Sequence, residues 1–161
     1  KYKDIFFVFH STSEQNKFIQ EKLVQEGFKN CGSISDEKIK SEVLKSSTFA
    51  VAKSGTVSLE ICNAKVPSII IYKMNSINFF IVKMLVKVKF ANVINIAADE
   101  EVIPELLQSS CNSKNIFNNV DRLLGDQNSS QKQINRSQEI ISKFKTNQSS
   151  EIAASILSNS L

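Results

Sequence analysis

The stretch that most restricts what this chain can fold into is Thr48 to Ala64, where an apolar run breaks at a glycine and resumes with another period. Thr48-Phe49-Ala50-Val51-Ala52 has the make-up of a short buried strand, Ser54-Gly55 is a turn signal, and Thr56 to Ala64 repeats its apolar residues at helical spacing. A strand, a small-residue turn and a helix start leave backbone N–H groups without intrahelical partners, and such groups favour an anion. Gly55 lets that anion approach the main chain. Glu60 falls four residues after Thr56, on the same helix face. A carboxylate there would repel a phosphate but can accept both hydroxyls of a diol such as a ribose. An ordinary N-capped helix with a solvated glutamate has the same spacing, so both readings stand at this point.

The flanking signals alternate between strand and helix. Ile5-Phe6-Phe7-Val8-Phe9 predicts a buried-type strand, and a chain that opens on core without a Met reads as incomplete. Ser11 or Thr12 can cap a helix running through Gln25, with Phe18, Ile19 and Leu23 on its apolar face and Gly27 as its stop. Asp36 caps a second helix. Val66-Pro67 ends the helix that follows the central turn, and Ser68-Ile69-Ile70-Ile71-Tyr72 is a continuous apolar strand of the kind covered on both faces. A helix-like apolar stretch from Ile77 to Phe90 comes next, then a short strand or loop at Ala91 to Ile96. Pro104 starts a helix over Glu105 to Ser109, and another runs from about Ser113 to Leu124. This order predicts an α/β fold, an open parallel sheet of Rossmann type.

After Gly125 the composition changes. Asp126 to Gln133 is polar and reads as a linker or frayed helix start, Ile134, Ile140, Ile141 and Phe144 mark one amphipathic helix, and Ile152, Ile156 and Leu157 mark a last one. The expected division is therefore a sheet domain over 1–125 and a helical tail over 126–161. Neither tail helix can stand alone, so each needs the sheet domain, a further domain or a second subunit to dock on.

A length of 161 residues suffices for one domain with a core, or for a piece of a larger one. The net charge of +4 is spread through interleaved lysines and glutamates, which argues against a nucleic-acid groove. Cys31, Cys62 and Cys111 are odd in number and lack metal spacing, so they read as free thiols of a reducing compartment. His10 is the one histidine; with no partnered nucleophile in the sequence it reads as a polar strand end rather than a catalytic base. Asp99-Glu100-Glu101 reads as a solvated first turn of a helix, in preference to a metal site.

Ser54-Gly55-Thr56-Val57-Ser58-Leu59-Glu60, then Ala64-Lys65-Val66-Pro67, Tyr72-Lys73-Met74 and Pro104-Glu105-Leu106-Leu107-Gln108 follow one another in the order and spacing of a known family. In these motifs the chain resembles the C-terminal half of the lipid-A-disaccharide synthases, bacterial glycosyltransferases of the GT-B fold, over roughly Lys1 to Asp126. The resemblance implies transfer of 2,3-diacylglucosamine from UDP onto 2,3-diacylglucosamine 1-phosphate, with no cofactor and no metal. It implies that Ser54, Gly55 and Thr56 meet the UDP pyrophosphate, that Glu60 holds the ribose and that Asn95 lies at the cleft near the donor. Leaving-group charge would be stabilised by oriented donors. Catalytic residues are expected in the N-terminal portion that this chain lacks.

The departures are specific. Lys53 stands where the family usually has a small residue, and could add a cation near the diphosphate. Ile94 replaces the usual proline before Asn95. Asp99-Glu100-Glu101 replaces a Gly-Arg-Glu pattern, which would disfavour a diphosphate if those side chains faced it. The glycine-rich segment that opens the family's C-terminal domain is missing. A non-catalytic remnant, a separate nucleotide-binding module and, less favoured, another GT-B glycosyltransferase thus remain as alternatives. Acylated substrates also bring in the membrane: Phe79 and Phe80 on the apolar surface of Ile77 to Phe90, with Lys83 and Lys87 sharing a face, suit an anionic inner-membrane surface, and a core helix with two outward lysines is the other reading. The expected location is cytoplasmic and peripheral on the inner membrane, and the tail helices would allow a homodimer.

Overall fold

The computed structural model of the chain describes residues 4–75 and 89–144. The chain divides into two compact units, Lys1–Ser47 and Thr48–Leu161.

The first unit runs β1 (Phe7–His10), α1 (Ser13–Gln25), β2 (Cys31–Ile34) and α2 (Glu37–Ser46). β1 and β2 pair in parallel, with Phe7 opposite Cys31 and His10 opposite Ile34. Local chemistry sets the helix ends. The Thr12 hydroxyl accepts from the Gln15 N–H (3.4 Å), and one Asp36 oxygen accepts from Lys38 (2.7 Å) and Ile39 (3.0 Å). Gly27, at φ +69°, donates back to Val24 while Phe28 donates to Leu23, which closes α1 as its position predicts.

Two expectations need correction here. β2 was absent from the sequence reading because Cys-Gly-Ser-Ile carries a single β-branched residue and a glycine, a weak strand signal. β1 is not buried: Phe6 and Phe7 are 62% and 59% exposed, and Val8 and Phe9 are exposed too. Among the described residues of this unit none is buried, since two short strands and two helices cannot cover both faces of a parallel pair. His10 ends β1 as expected, its Nε2 3.4 Å from Glu37 Oε1. Lys40, hydrogen-bonded to Glu37 at 2.8 Å, is the main cause that holds the Glu37 carboxyl below its usual range.

The second unit runs β3 (Ala50–Lys53), α3 (Val57–Asn63), β4 (Ser68–Tyr72), α4 (Val93–Ala98), β5 (Glu105–Leu107), a 3-10 turn (Gln108–Ser110), α5 (Ser113–Gly125) and α6 (Gln127–Phe144). Its sheet is parallel throughout, in the order β3-β4-β5, with Lys53 opposite Ile71 and Tyr72 opposite Leu107. β4 is central, and its unbroken apolar run has the expected consequence. Ile70 packs with Cys62, Ile94, Ile103, Ile140 and Ile141, while its neighbour Ile69 packs with Leu106 and Leu123. Burial of each such side chain contributes about 1.5–3 kcal/mol.

The polar stretch after Gly125 is not a linker: α6 is helical from Gln127, and it packs Ile140 and Ile141 into this core. One polar residue of that stretch does structural work that periodicity cannot show. Buried Gln133 accepts from the Ser68 N–H (2.7 Å) and donates to the Ser68 carbonyl (2.9 Å), tying α6 to the start of β4. Burial pushes the Cys62 thiol up, so it stays a neutral core group, and all three cysteines are free thiols.

Three further corrections concern the region after β4. Ala91 to Ile96 is neither strand nor plain loop: Asn92 caps α4, its side chain accepting from Ile94 N–H at 2.8 Å, despite the β-branched residues that follow. Glu105 to Ser109 is not a helix, since β4 offers Glu105–Leu107 a parallel neighbour and Pro104 only precedes it. Asp99 to Glu101 follow the end of α4 rather than opening a helix, with Asp99 left-handed at φ +50°. The stretch 76–88, with Phe79, Phe80, Lys83 and Lys87, and the last tail helix expected near Ile152 lie outside the described residues.

Candidate nucleotide-sugar site

The Ser54-Gly55-Thr56 turn sits at the C-terminal end of β3, the side of an open parallel sheet where ligands bind. Gly55 has φ +150°, a backbone conformation side chains rarely adopt, and nothing lies within 4 Å of where its Cβ would be. Its main chain is therefore open to approach. Ser58 donates both its N–H (3.2 Å) and its hydroxyl (2.7 Å) to the Gly55 carbonyl, and Leu59 N–H donates to Thr56 O (3.0 Å). These bonds consume carbonyls of the turn and leave its amides: among the described residues the N–H groups of Gly55, Thr56 and Val57 meet no acceptor. Thr56 makes no side-chain cap, so its hydroxyl is not committed to α3. Glu60 is exposed in the first turn of this seven-residue helix.

Ser54 is placed differently from Thr56. Its hydroxyl donates to the Ala91 carbonyl at 2.7 Å, which uses the one proton the group has. What Ser54 offers a ligand is thus lone pairs and main chain. Lys53 turns to Tyr72, its Nζ 5.2 Å from the ring centroid, a cation–π contact across β3 and β4.

Asn95 is fully buried, and its amide is fully engaged. It donates to Ile103 O (2.7 Å) and Glu105 Oε1 (2.8 Å) and accepts from Val102 N–H (3.0 Å) and Ile103 N–H (2.9 Å). In this arrangement it holds the turn that leads from α4 into Glu105. The acidic run is likewise turned to protein partners: Lys89 meets Asp99 (3.1 Å), Arg136 meets Glu100 (2.6 Å), and Glu101 accepts from the Glu105 N–H (3.3 Å). A cleft of about 880 Å3 lined by Glu100, Arg122, Gln131 and Arg136 among others shares no lining residue with the Gly55 turn. Within it Arg136 pairs with both Glu100 and Glu139, the latter at 2.7 Å.

Sequence reasoning missed Glu105 and Gln108 as working residues. Glu105 accepts from Ala91 N–H (2.7 Å), Asn92 N–H (2.8 Å) and the Asn95 amide. Gln108 accepts from Met74 N–H (2.8 Å) and donates to Met74 O (3.1 Å). No local signal marks either one, because the strand and the buried asparagine that give Glu105 internal partners are set by tertiary neighbours. Among the described residues no group of three His, Cys, Asp or Glu side chains could hold a metal.

Parallel strands flanked by helices, with a glycine turn at a strand end, define a Rossmann-like α/β arrangement of the sort that makes up GT-B domains. A family model described as lipid-A-disaccharide synthetase matches residues 1–158, and the chain belongs to that family. Among curated relatives, the lipid-A-disaccharide synthase of Rickettsia canadensis (strain McKiel) is 42% identical over 126 residues, covering 76% of this chain and 32% of the relative. That of Rickettsia prowazekii (strain Madrid E) is 34% identical over 159 residues, covering 97% of this chain and 41% of the relative. The chain thus spans 32% to 41% of the length of these relatives.

Proposed function

We propose that the complete protein moves 2,3-diacylglucosamine from UDP to 2,3-diacylglucosamine 1-phosphate, and that this chain supplies the wall that holds the UDP. The observation that carries this reading is the Gly55 turn, where among the described residues three amides meet no acceptor and nothing lies within 4 Å of the Gly55 Cβ position. Those N–H groups suit a diphosphate, and they would stabilise its charge as the bond to the anomeric carbon breaks. The Thr56 hydroxyl adds a donor, and Glu60 one turn on serves the ribose hydroxyls. Asn95 contributes indirectly, by holding the turn that ends at Glu105. Catalytic acid–base groups and the acceptor site are assigned to the part of the protein outside these residues.

The test is calorimetric titration of UDP and of pyrophosphate into the chain and into Glu60→Ala. Loss of the carboxylate should weaken UDP by about 1–3 kcal/mol, the range for a charged hydrogen-bonding partner, and leave pyrophosphate unchanged. Equal UDP affinity in the two proteins would remove the ribose assignment.

We also place the protein at the cytoplasmic face of the inner membrane, on the sequence of Ile77 to Phe90. Among the described residues no helix is long and apolar enough to cross a membrane. Lysines near an anionic leaflet contribute on the order of 1 kcal/mol each, screened by salt. Sedimentation with anionic vesicles should therefore show salt-sensitive binding, reduced by Lys83→Glu with Lys87→Glu. A folded double variant that binds as before would end this assignment.

A further inference from the structure

We propose that Glu105 is a positioning residue for the Gly55 turn, acting through the main chain of Ala91. The inference rests on the UDP reading for its consequence, but its geometry stands independently of that reading. Glu105 Oε2 accepts from Ala91 N–H at 2.7 Å. The carbonyl of the same residue accepts the Ser54 hydroxyl at 2.7 Å. Ala91 is thus held on one side by a carboxylate and holds, on the other, the residue that precedes Gly55.

The carboxylate itself is fixed. Its other oxygen accepts from Asn92 N–H and from the buried Asn95 amide, both at 2.8 Å, and Asn95 is held in turn by Val102 and Ile103. Hydrogen bonds to a charged acceptor are about twice as strong as neutral ones, so Ala91 is held firmly while its own backbone makes a single bond onward. Ser54 has only one proton to give, and it is given to Ala91. The side chain of Ser54 cannot then turn its hydrogen towards a ligand, and the direction in which the following amides point depends on where Ala91 sits. Gly55 makes this dependence matter: Ser58 fixes its carbonyl from the helix side, but at φ +150° and with no described atom within 4 Å of where a Cβ would stand, no side-chain packing fixes its N–H side.

Glu105→Gln separates this role from bulk support. A glutamine keeps one carbonyl oxygen, enough for Asn92 and Asn95, and presents an amide to Ala91 N–H, donor against donor. The Ala91 link is lost while the rest of the network survives. In amide NMR spectra of the folded chain, Glu105→Gln should shift the Gly55 and Thr56 resonances, and Ser54→Ala should shift the same two. UDP titrations followed in the same spectra should show each single variant weakened about three- to tenfold, and the double variant weakened no further than the worse single, because the two act along one line. Unmoved Gly55 and Thr56 resonances in folded Glu105→Gln overturn the proposal, whether or not UDP binds. Losses that multiply in the double variant also overturn it, while leaving the UDP site standing. Resonance shifts in both variants, with no UDP binding by the wild-type chain, would retain Glu105 as the residue that sets the turn and remove the nucleotide reading alone.

Discussion

Asn95→Ala should lower the stability of the second unit by about 3–5 kcal/mol, the scale of a buried polar network lost at one stroke. The side chain makes four hydrogen bonds from a fully buried position, to Ile103 O, Glu105, and the N–H groups of Val102 and Ile103. An alanine leaves those main-chain groups dry and unpaired. Exchange of the Ile69 and Ile70 amides, at the centre of the sheet, reads the loss directly, and protection within about 1 kcal/mol of wild type would refute the account. Asn95→Asp sharpens the test. An aspartate would set a second carboxylate against Glu105 Oε1, and the like charge would raise the pKa of the introduced side chain. A group whose folded pKa is raised destabilises the fold above that pKa and stops doing so as the pH falls through it. The deficit of Asn95→Asp against wild type should therefore be larger at pH 8 than at pH 5, while that of Asn95→Ala stays flat.

Gln133→Ala should cost about 2–4 kcal/mol, from two hydrogen bonds made at a site where Ser68 is almost fully buried. The Ser68 N–H loses its acceptor at the entrance to the central strand, and α6 loses a polar tie to that strand end. The loss should show as a lower urea midpoint. Gln133→Leu, which keeps the volume, should recover little of it, since packing is not what the residue supplies. Full recovery by leucine would show that shape, and not hydrogen bonding, sets the contribution.

How far the sequence could be read depended on whether the deciding contact was local. Thr12, Asp36 and Gly27 act on N–H or carbonyl groups within a few residues, and each was legible as a cap or a stop. β4 was legible because an unbroken apolar run needs cover on both faces, and Ile140 and Ile141 kept a helical period. Gln133 and Gln108 were not, because their partners Ser68 and Met74 are far away in the chain and a glutamine's spacing carries no trace of them. β5 was misread for a different reason. Three residues are too few to show a period, and a proline before Glu-Leu-Leu imitates a helix start. In the candidate site, the Ser-Gly-Thr turn and Glu60 were visible as a pattern. That the Ser54 proton is already spent, that Lys53 turns to Tyr72 and that Asn95 is enclosed depend on tertiary neighbours.

The pairing of Gln108 with Met74 and of Glu105 with Ala91 and Asn92 has a consequence for how this chain tolerates change. Both partners sit at the edges of the stretch between them, and both clasps come from one short motif, Pro104 to Gln108. The sheet therefore meets that stretch at two fixed sockets. A change within Pro104 to Gln108 should therefore be felt together at Met74, beyond the end of β4, and at Ala91, which holds Ser54 beside the Gly55 turn.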